Sequence, residues 1–257
     1  MTDITHPTTD IAPYTRGEAH RLAATEYARM LDVLTQLGTD DWSRPTDCAD
    51  WDVRALSGHI LGGTEFFCSP SEFVHQLRAG AEAAKGRPTI DGMTEVQVRE
   101  RAALRTDELI DRFAAAGDRA ARNRARMPAP LRMIPMTAQV GDRDEKWRLA
   151  YLVDVVLTRD TWMHRVDLSR AVGRPMTLTA DHDGRIVADV VREWALRHGK
   201  PYAVELTGVA GGVFASLGAA FGNTASGHIV IDAVEFCRML SGRGPAGTGL
   251  LAQPVPF

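Results

Sequence analysis

Apolar residues recur at helical spacing through the first two thirds of the chain. Ala23, Tyr27, Met30, Leu31 and Leu34 fall on one stripe at 3.6-residue spacing, so a helix is predicted from about Gly17 to Leu37, with Gly38 as its stop. Asp40–Asp50 is turn-rich and contains Pro45, which reads as a loop. A second helix follows, capped by Asp50 or Asp52, with Val53, Leu56, Ile60, Gly63 and Phe67 on its inner face. Ser69–Lys85 predicts a third helix and a further one begins near Thr94. Thr106-Asp107-Glu108 restarts it, with Leu109, Ile110 and Phe113 buried. Met127–Val140 carries Pro128, Pro130 and Pro135 and is read as extended or irregular. Trp147–Ala171 reads as one long helix whose continuous face is Leu149, Val153, Val156, Asp160, His164 and Asp167, ended by Gly173 and Pro175.

The pattern changes after Pro175. Residues 183–198 predict a helix with Ile186, Val190 and Trp194 in phase. Tyr202–Thr207 alternates like a strand, the glycine-rich run Gly208–Gly222 holds room for a second, and His228–Ile231 is a third. That run lacks both G-x-G-x-x-G and a lysine, so it reads as a hairpin or an apolar wall, not a phosphate loop. Asp232 begins a short helix, with Glu235 completing a D-x-x-E capping box. The expected organisation is a flexible tail over 1–15, a helical part over 16–175 and a small α+β part over 176–257.

Composition narrows the function. The chain has 257 residues, with 44% hydrophobic and 25% charged, which are globular proportions. A net charge of -3 argues against a dedicated nucleic-acid binder. Three cysteines, Cys48, Cys68 and Cys237, without C-x-x-C spacing point away from a disulfide framework. No signal-peptide pattern and no membrane-length apolar run is apparent, so a soluble, cytoplasmic protein is expected. Of 30 basic residues only Lys85, Lys146 and Lys200 are lysines, the mark of a GC-rich coding bias.

One constellation carries chemistry. Asp160 and His164 are four apart, which puts both on one helix face, in phase with apolar residues. A carboxylate and an imidazole facing a bundle interior are costly unless paired or metal-bound. His59 lies beside the inner stripe of the second helix, so packing of the two helices lets His59, Asp160 and His164 converge. Two histidines and a carboxylate, with positions left open, form a catalytic rather than structural metal set. An internal salt bridge explains the same spacing. Asp167, three residues on, is placed to orient the His164 imidazole.

These residues resemble the mycothiol-dependent maleylpyruvate isomerase family, a DinB-like helical metalloprotein. Asp41-Trp42-Ser43-Arg44-Pro45-Thr46, Cys48-Ala49-Asp50-Trp51-Asp52-Val53-Arg54, Leu56 and His59 are similar to its loop and second-helix motif. Arg159-Asp160-Thr161-Trp162-Met163-His164-Arg165-Val166-Asp167 is similar to its fourth-helix motif. Asp232–Arg238 with Ser241-Gly242-Arg243 resembles its small sterol-carrier-like domain. The resemblance implies an up-down-down-up four-helix bundle followed by an α+β domain. It implies a divalent metal, usually zinc, on His59, Asp160 and His164. Where the characterised isomerases have glutamate, this chain has Asp160, one methylene shorter. The resemblance also implies mycothiol as the thiol, an actinobacterial source, and activity involving Arg238. In isomerisation a thiolate adds to an activated double bond, the adduct rotates and the thiolate leaves. The alternatives are a mycothiol S-transferase, in which the thiol stays attached, and a non-catalytic small-molecule binder. Cys48, Cys68 and Cys237 read as structural, Trp51 and Trp162 as wedges beside the site, and Arg165 as paired with an acidic neighbour or a ligand carboxylate, or at the surface. No partner beyond a small-molecule electrophile is implied, and the protein is expected as a monomer or homodimer.

Overall fold

The structure is a computed structural model and describes residues 5–7, 10–216 and 228–257. In chain order the elements are β1 (Thr5–Pro7), α1 (Arg16–Thr35), α2 (Val53–Glu65), α3 (Pro70–Ala84), α4 (Thr89–Arg101), α5 (Thr106–Arg126) and the short α6 (Ala129–Arg132). Then come β2 (Pro135–Val140), β3 (Arg143–Arg148), α7 (Leu149–Tyr151), a π-helical turn (Leu152–Val156) and α8 (Leu157–Val172). They are followed by α9 (Asp183–His198), β4 (Ala203–Thr207), β5 (Gly212–Ala215), β6 (His228–Asp232) and α10 (Ala233–Leu240). The chain divides into two units: Tyr14–Met176, and Met1–Pro13 with Thr177–Phe257.

The first unit is helical. Thr15 caps α1, its Oγ1 accepting from Glu18 N at 3.2 Å, and Asp52 caps α2, accepting from Ala55 N at 2.7 Å. Helix α1 packs on α5 and α8, and α2 packs on the same two, so these four close a bundle. Helices α3 and α4 pair with each other, and α4 lies against α2. Tyr27, Met30, Leu34, Leu56, Ile60, Phe113, Val153 and Leu168 belong to one buried core. Full burial of each such side chain contributes about 1.5–3 kcal/mol, so the apolar stripes decide the packing.

The long helix expected over Trp147–Ala171 is not continuous. Trp147 lies on β3, paired antiparallel to β2 with Met136 opposite. The reason is in the segment itself: Arg143–Arg148 offers a helix one apolar residue, whereas as a strand it half-buries Glu145 and Trp147 on one face. The stretch expected to be extended or irregular over Met127–Val140 is extended over Pro135–Val140, as β2, and forms the short α6 before it. Between α7 and α8 the chain makes a π turn, and Arg124 of α5 donates to the Val153 carbonyl there (Nε at 2.9 Å) and to Thr158 Oγ1 (Nη2 at 2.9 Å). A wider turn shifts the helix phase, and such turns recur where a helix carries function. Gly173 ends α8 at φ +66°, a left-handed cap that glycine adopts without strain.

The second unit is α+β. Its sheet has the order β1-β5-β4-β6, with β4 antiparallel to β5 and parallel to β6. Trp194 of α9 is fully buried and meets Tyr202 and Phe236 edge-on at 5.0 and 5.3 Å. Asp232 caps α10 through Val234 N and Glu235 N, at 2.9 and 3.2 Å. The expectation of a free tail over 1–15 does not hold throughout. Thr5–Pro7 pairs parallel with Val213–Ala215 as an edge strand, and Thr15 begins α1 as its cap. Backbone pairing at a sheet edge asks for no apolar pattern, so a polar, threonine-rich segment gave no sequence signal for it. Of the glycine-rich run, Gly212–Ala215 forms β5, and residues 217–222 lie outside the described residues.

Candidate metal centre

Helices α2 and α8 bring His59, Asp160 and His164 together inside the bundle unit. Each offers a ligand atom, and the three atoms lie within 4.8 Å of one another. His164 Nε2 is 3.3 Å from Asp160 Oδ1, and His59 Nε2 is 4.0 Å from Asp160 Oδ2. The imidazoles meet edge-to-face with centroids 5.1 Å apart. The shorter Asp160 side chain therefore still reaches both rings. Four-coordinate zinc with bonds of about 2.0–2.1 Å sets its ligand atoms roughly 3.3 Å apart, so this donor set needs only a small closure to fit such an ion.

The other side of each ring is tied back. His59 Nδ1 is 2.9 Å from Gln97 Oε1, and His164 Nδ1 is 3.0 Å from the wholly buried Asp167 Oδ2. Cys48 donates its thiol to the same Asp167 oxygen, at 3.5 Å. Trp51 flanks both imidazoles, with centroids 4.9 Å from His59 and 6.4 Å from His164. A small cleft opens beside His59 and Asp160, lined also by Tyr27, Ile60, Leu157 and Thr161.

The electrostatics favour a cation. Burial works against charge on His164, but Asp160 beside Nε2 and Asp167 on Nδ1, with Cys48 adding to them, outweigh it and hold its pKa well above the ordinary imidazole value. Without an ion, the two carboxylates favour the protonated form of this imidazole. A raised histidine pKa means that a divalent ion must displace that proton. Affinity for zinc should therefore climb by about tenfold per pH unit from the ordinary imidazole range up to the raised value, then level off. A chelator-competition titration across pH checks this, and a flat profile would remove the proton from the account.

The remaining sequence-expected residues separate. Arg238 belongs to the second unit, where Nη1 donates to Glu235 Oε2 at 2.6 Å and Nη2 to the Arg243 carbonyl at 3.0 Å. Arg165 is buried and makes a two-pronged pair with Glu26. Trp162 and Cys237 are fully buried. Burial pushes the Cys68 thiol up to about 11. Gln97, Gln76 and Glu26 were not picked out from the sequence. The signal is a polar residue in phase with a buried stripe: Gln97 four after Met93, Gln76 four before Gly80, Glu26 between Ala23 and Met30. Among the described residues no helix is long and apolar enough to cross a membrane.

Fold and site define a protein whose helical bundle carries an inward His-Asp-His cluster and whose second unit is α+β. Residues 23–169 match the family model described as mycothiol maleylpyruvate isomerase N-terminal domain, and the chain belongs to this family. Two solved structures share the fold over 98% of this chain and 100% of theirs. One is a crystal structure of the mycothiol-dependent maleylpyruvate isomerase (14% identity, TM-score 0.55), the other of a histidine-to-alanine mutant of it (13%, 0.56). No curated protein matches the chain in sequence.

Proposed function

We propose that this chain is a divalent-metal-dependent enzyme that uses mycothiol to isomerise a small electrophilic acid about a double bond. The observation that carries the reading is the convergence of two imidazole nitrogens and one carboxylate beside a cleft. Family membership supports mycothiol as the thiol and cis-trans isomerisation as the reaction. When bound, a divalent cation, usually zinc by the family resemblance, would keep a thiol in its nucleophilic thiolate form near neutral pH.

The chain's own groups divide the remaining work. His59, Asp160 and His164 bind the ion, while Gln97 and Asp167 orient the two imidazoles. Trp51 covers their flanks. Thr64 and Thr161 donate their hydroxyls to Ile60 O and Leu157 O, so their protons are turned away from the cleft. The family resemblance makes Arg238, whose guanidinium is oriented by Glu235 and the Arg243 carbonyl, a residue required for activity in this reading.

The test is turnover of maleylpyruvate by zinc-loaded protein, with and without mycothiol, followed by absorbance and by mass spectrometry of the products. Isomer formation only with both metal and thiol is expected, with Arg238→Ala lowering turnover. Accumulation of a stable thioether would move the protein to the S-transferases. Tight binding without metal or thiol dependence would make it a binding protein.

A further inference from the structure

Helix α2 carries Gly58 and Gly62 on the side that faces α4. A Cβ built on Gly62 would stand 2.6 Å from both Cβ and Cγ of Gln97. Glycine there lets α4 lie close enough for Gln97, itself almost fully buried, to reach across to the ring of His59 one turn away. Behind Gln97 stands Gln76 of α3, wholly buried. The two amides form a relay. Gln97 Nε2 donates to Gln76 Oε1 at 2.8 Å, and Gln76 Nε2 donates to the Gly62 carbonyl at 2.9 Å and to Glu72 Oε1 at 2.7 Å.

The relay has one polarity. The Gly62 carbonyl can only accept. Glu72 Oε1 also accepts from Arg101 Nη2, at 3.1 Å. Gln76 must therefore turn its amino group to this end and its oxygen to Gln97. Gln97 must then turn its amino group to Gln76 and its oxygen to His59. Facing an oxygen that can only accept, His59 Nδ1 must carry the hydrogen, which leaves the Nε2 lone pair directed at Asp160 and His164. A flipped amide at either glutamine would set two acceptors or two donors against each other in a buried place, where an unmet group costs about 1–3 kcal/mol.

We propose that Gln97, anchored by Gln76, is a positioning residue that fixes His59 as the Nδ1–H tautomer and presents Nε2 to the cluster. What this does for a bound ion rests on the metal reading above; the tautomer itself does not. The experiment has two readouts. Two-bond ¹⁵N–¹H correlation on the metal-free protein reports the tautomer of neutral His59, assigned by its loss in His59→Gln. Zinc affinity is measured by chelator competition. Wild type should show Nδ1–H. Gln97→Met, near in size but without an amide acceptor, should show a mixture of tautomers and bind zinc about 10–100-fold more weakly, whereas Gln97→Glu, which keeps an acceptor on Nδ1 although it loses the donor to Gln76, should keep Nδ1–H. Gln76→Met leaves the His59 contact in place but frees Gln97 to flip, and should also admit the second tautomer. It serves if Gln97→Met does not fold. The His164 signal, tied to Asp167, should stay unchanged in every variant. An Nε2–H tautomer in wild type would overturn the proposal. So would Gln97→Met and Gln76→Met that both keep Nδ1–H and wild-type zinc affinity. If wild type takes up no zinc, the metal reading fails, and the tautomers of wild type and the two methionine variants still decide the relay.

Discussion

Asp160→Ala and His59→Ala should each yield folded protein that has lost its cation, while wild type carries about one divalent ion per chain, as a three-ligand centre predicts. Both positions leave the bundle core intact. The Asp160 side chain is 30% exposed and that of His59 is 14% exposed, so neither truncation opens a large cavity. The loss of affinity should exceed the roughly 10–100-fold that removing a supporting hydrogen bond costs, because a ligand itself is gone. Thiol-dependent turnover should fall with metal content. Elemental mass spectrometry on wild type and the two variants after zinc loading checks this. A wild type that takes up no ion, or variants that keep theirs, would sink the metal centre as drawn.

The second large effect concerns stability. Glu26 of α1 and Arg165 of α8 are buried to 0% and 1% exposure, with Arg165 Nε 2.6 Å from Glu26 Oε1 and Nη2 3.1 Å from Oε2. Removing one partner takes a two-pronged, charge-assisted hydrogen bond away from a buried charge. Arg165→Leu or Glu26→Leu should each cost about 3–5 kcal/mol in urea unfolding. The double replacement Glu26→Leu/Arg165→Met should recover most of that loss, because the desolvation of both charges goes with the pair. Single variants within about 1 kcal/mol of wild type would show that the pair is relieved some other way.

Much of this was legible in the chain. The stripe Ala23, Tyr27, Met30 and Leu34 marked α1. Ile186, Val190 and Trp194 marked α9. The four-residue spacing of Asp160 and His164 put the two on one helix face. Those features are local and periodic. The hairpin of β2 and β3 was hidden because a charged strand half-buried on one face lacks the alternation of apolar residues that reveals a strand. The π turn at Leu152–Val156 was hidden because the side chain that meets its Val153 carbonyl, Arg124, lies in another helix. Gln97 escaped notice for the same kind of reason: its meaning lies in the ring it touches on α2, not in its own neighbours along α4.

The pairing of Thr5–Pro7 with β5 makes the α+β unit discontinuous in sequence, with the bundle threaded between its two pieces. A fragment cut at Met176 would carry the whole bundle together with a strand that has lost its sheet. The complementary fragment would leave one side of β5 with bare amides and carbonyls, an edge open to pairing between copies. For anyone dissecting the molecule, the clean way to isolate the second unit is to graft residues 1–13 onto Thr177 through a short flexible linker, and the clean bundle begins at Tyr14.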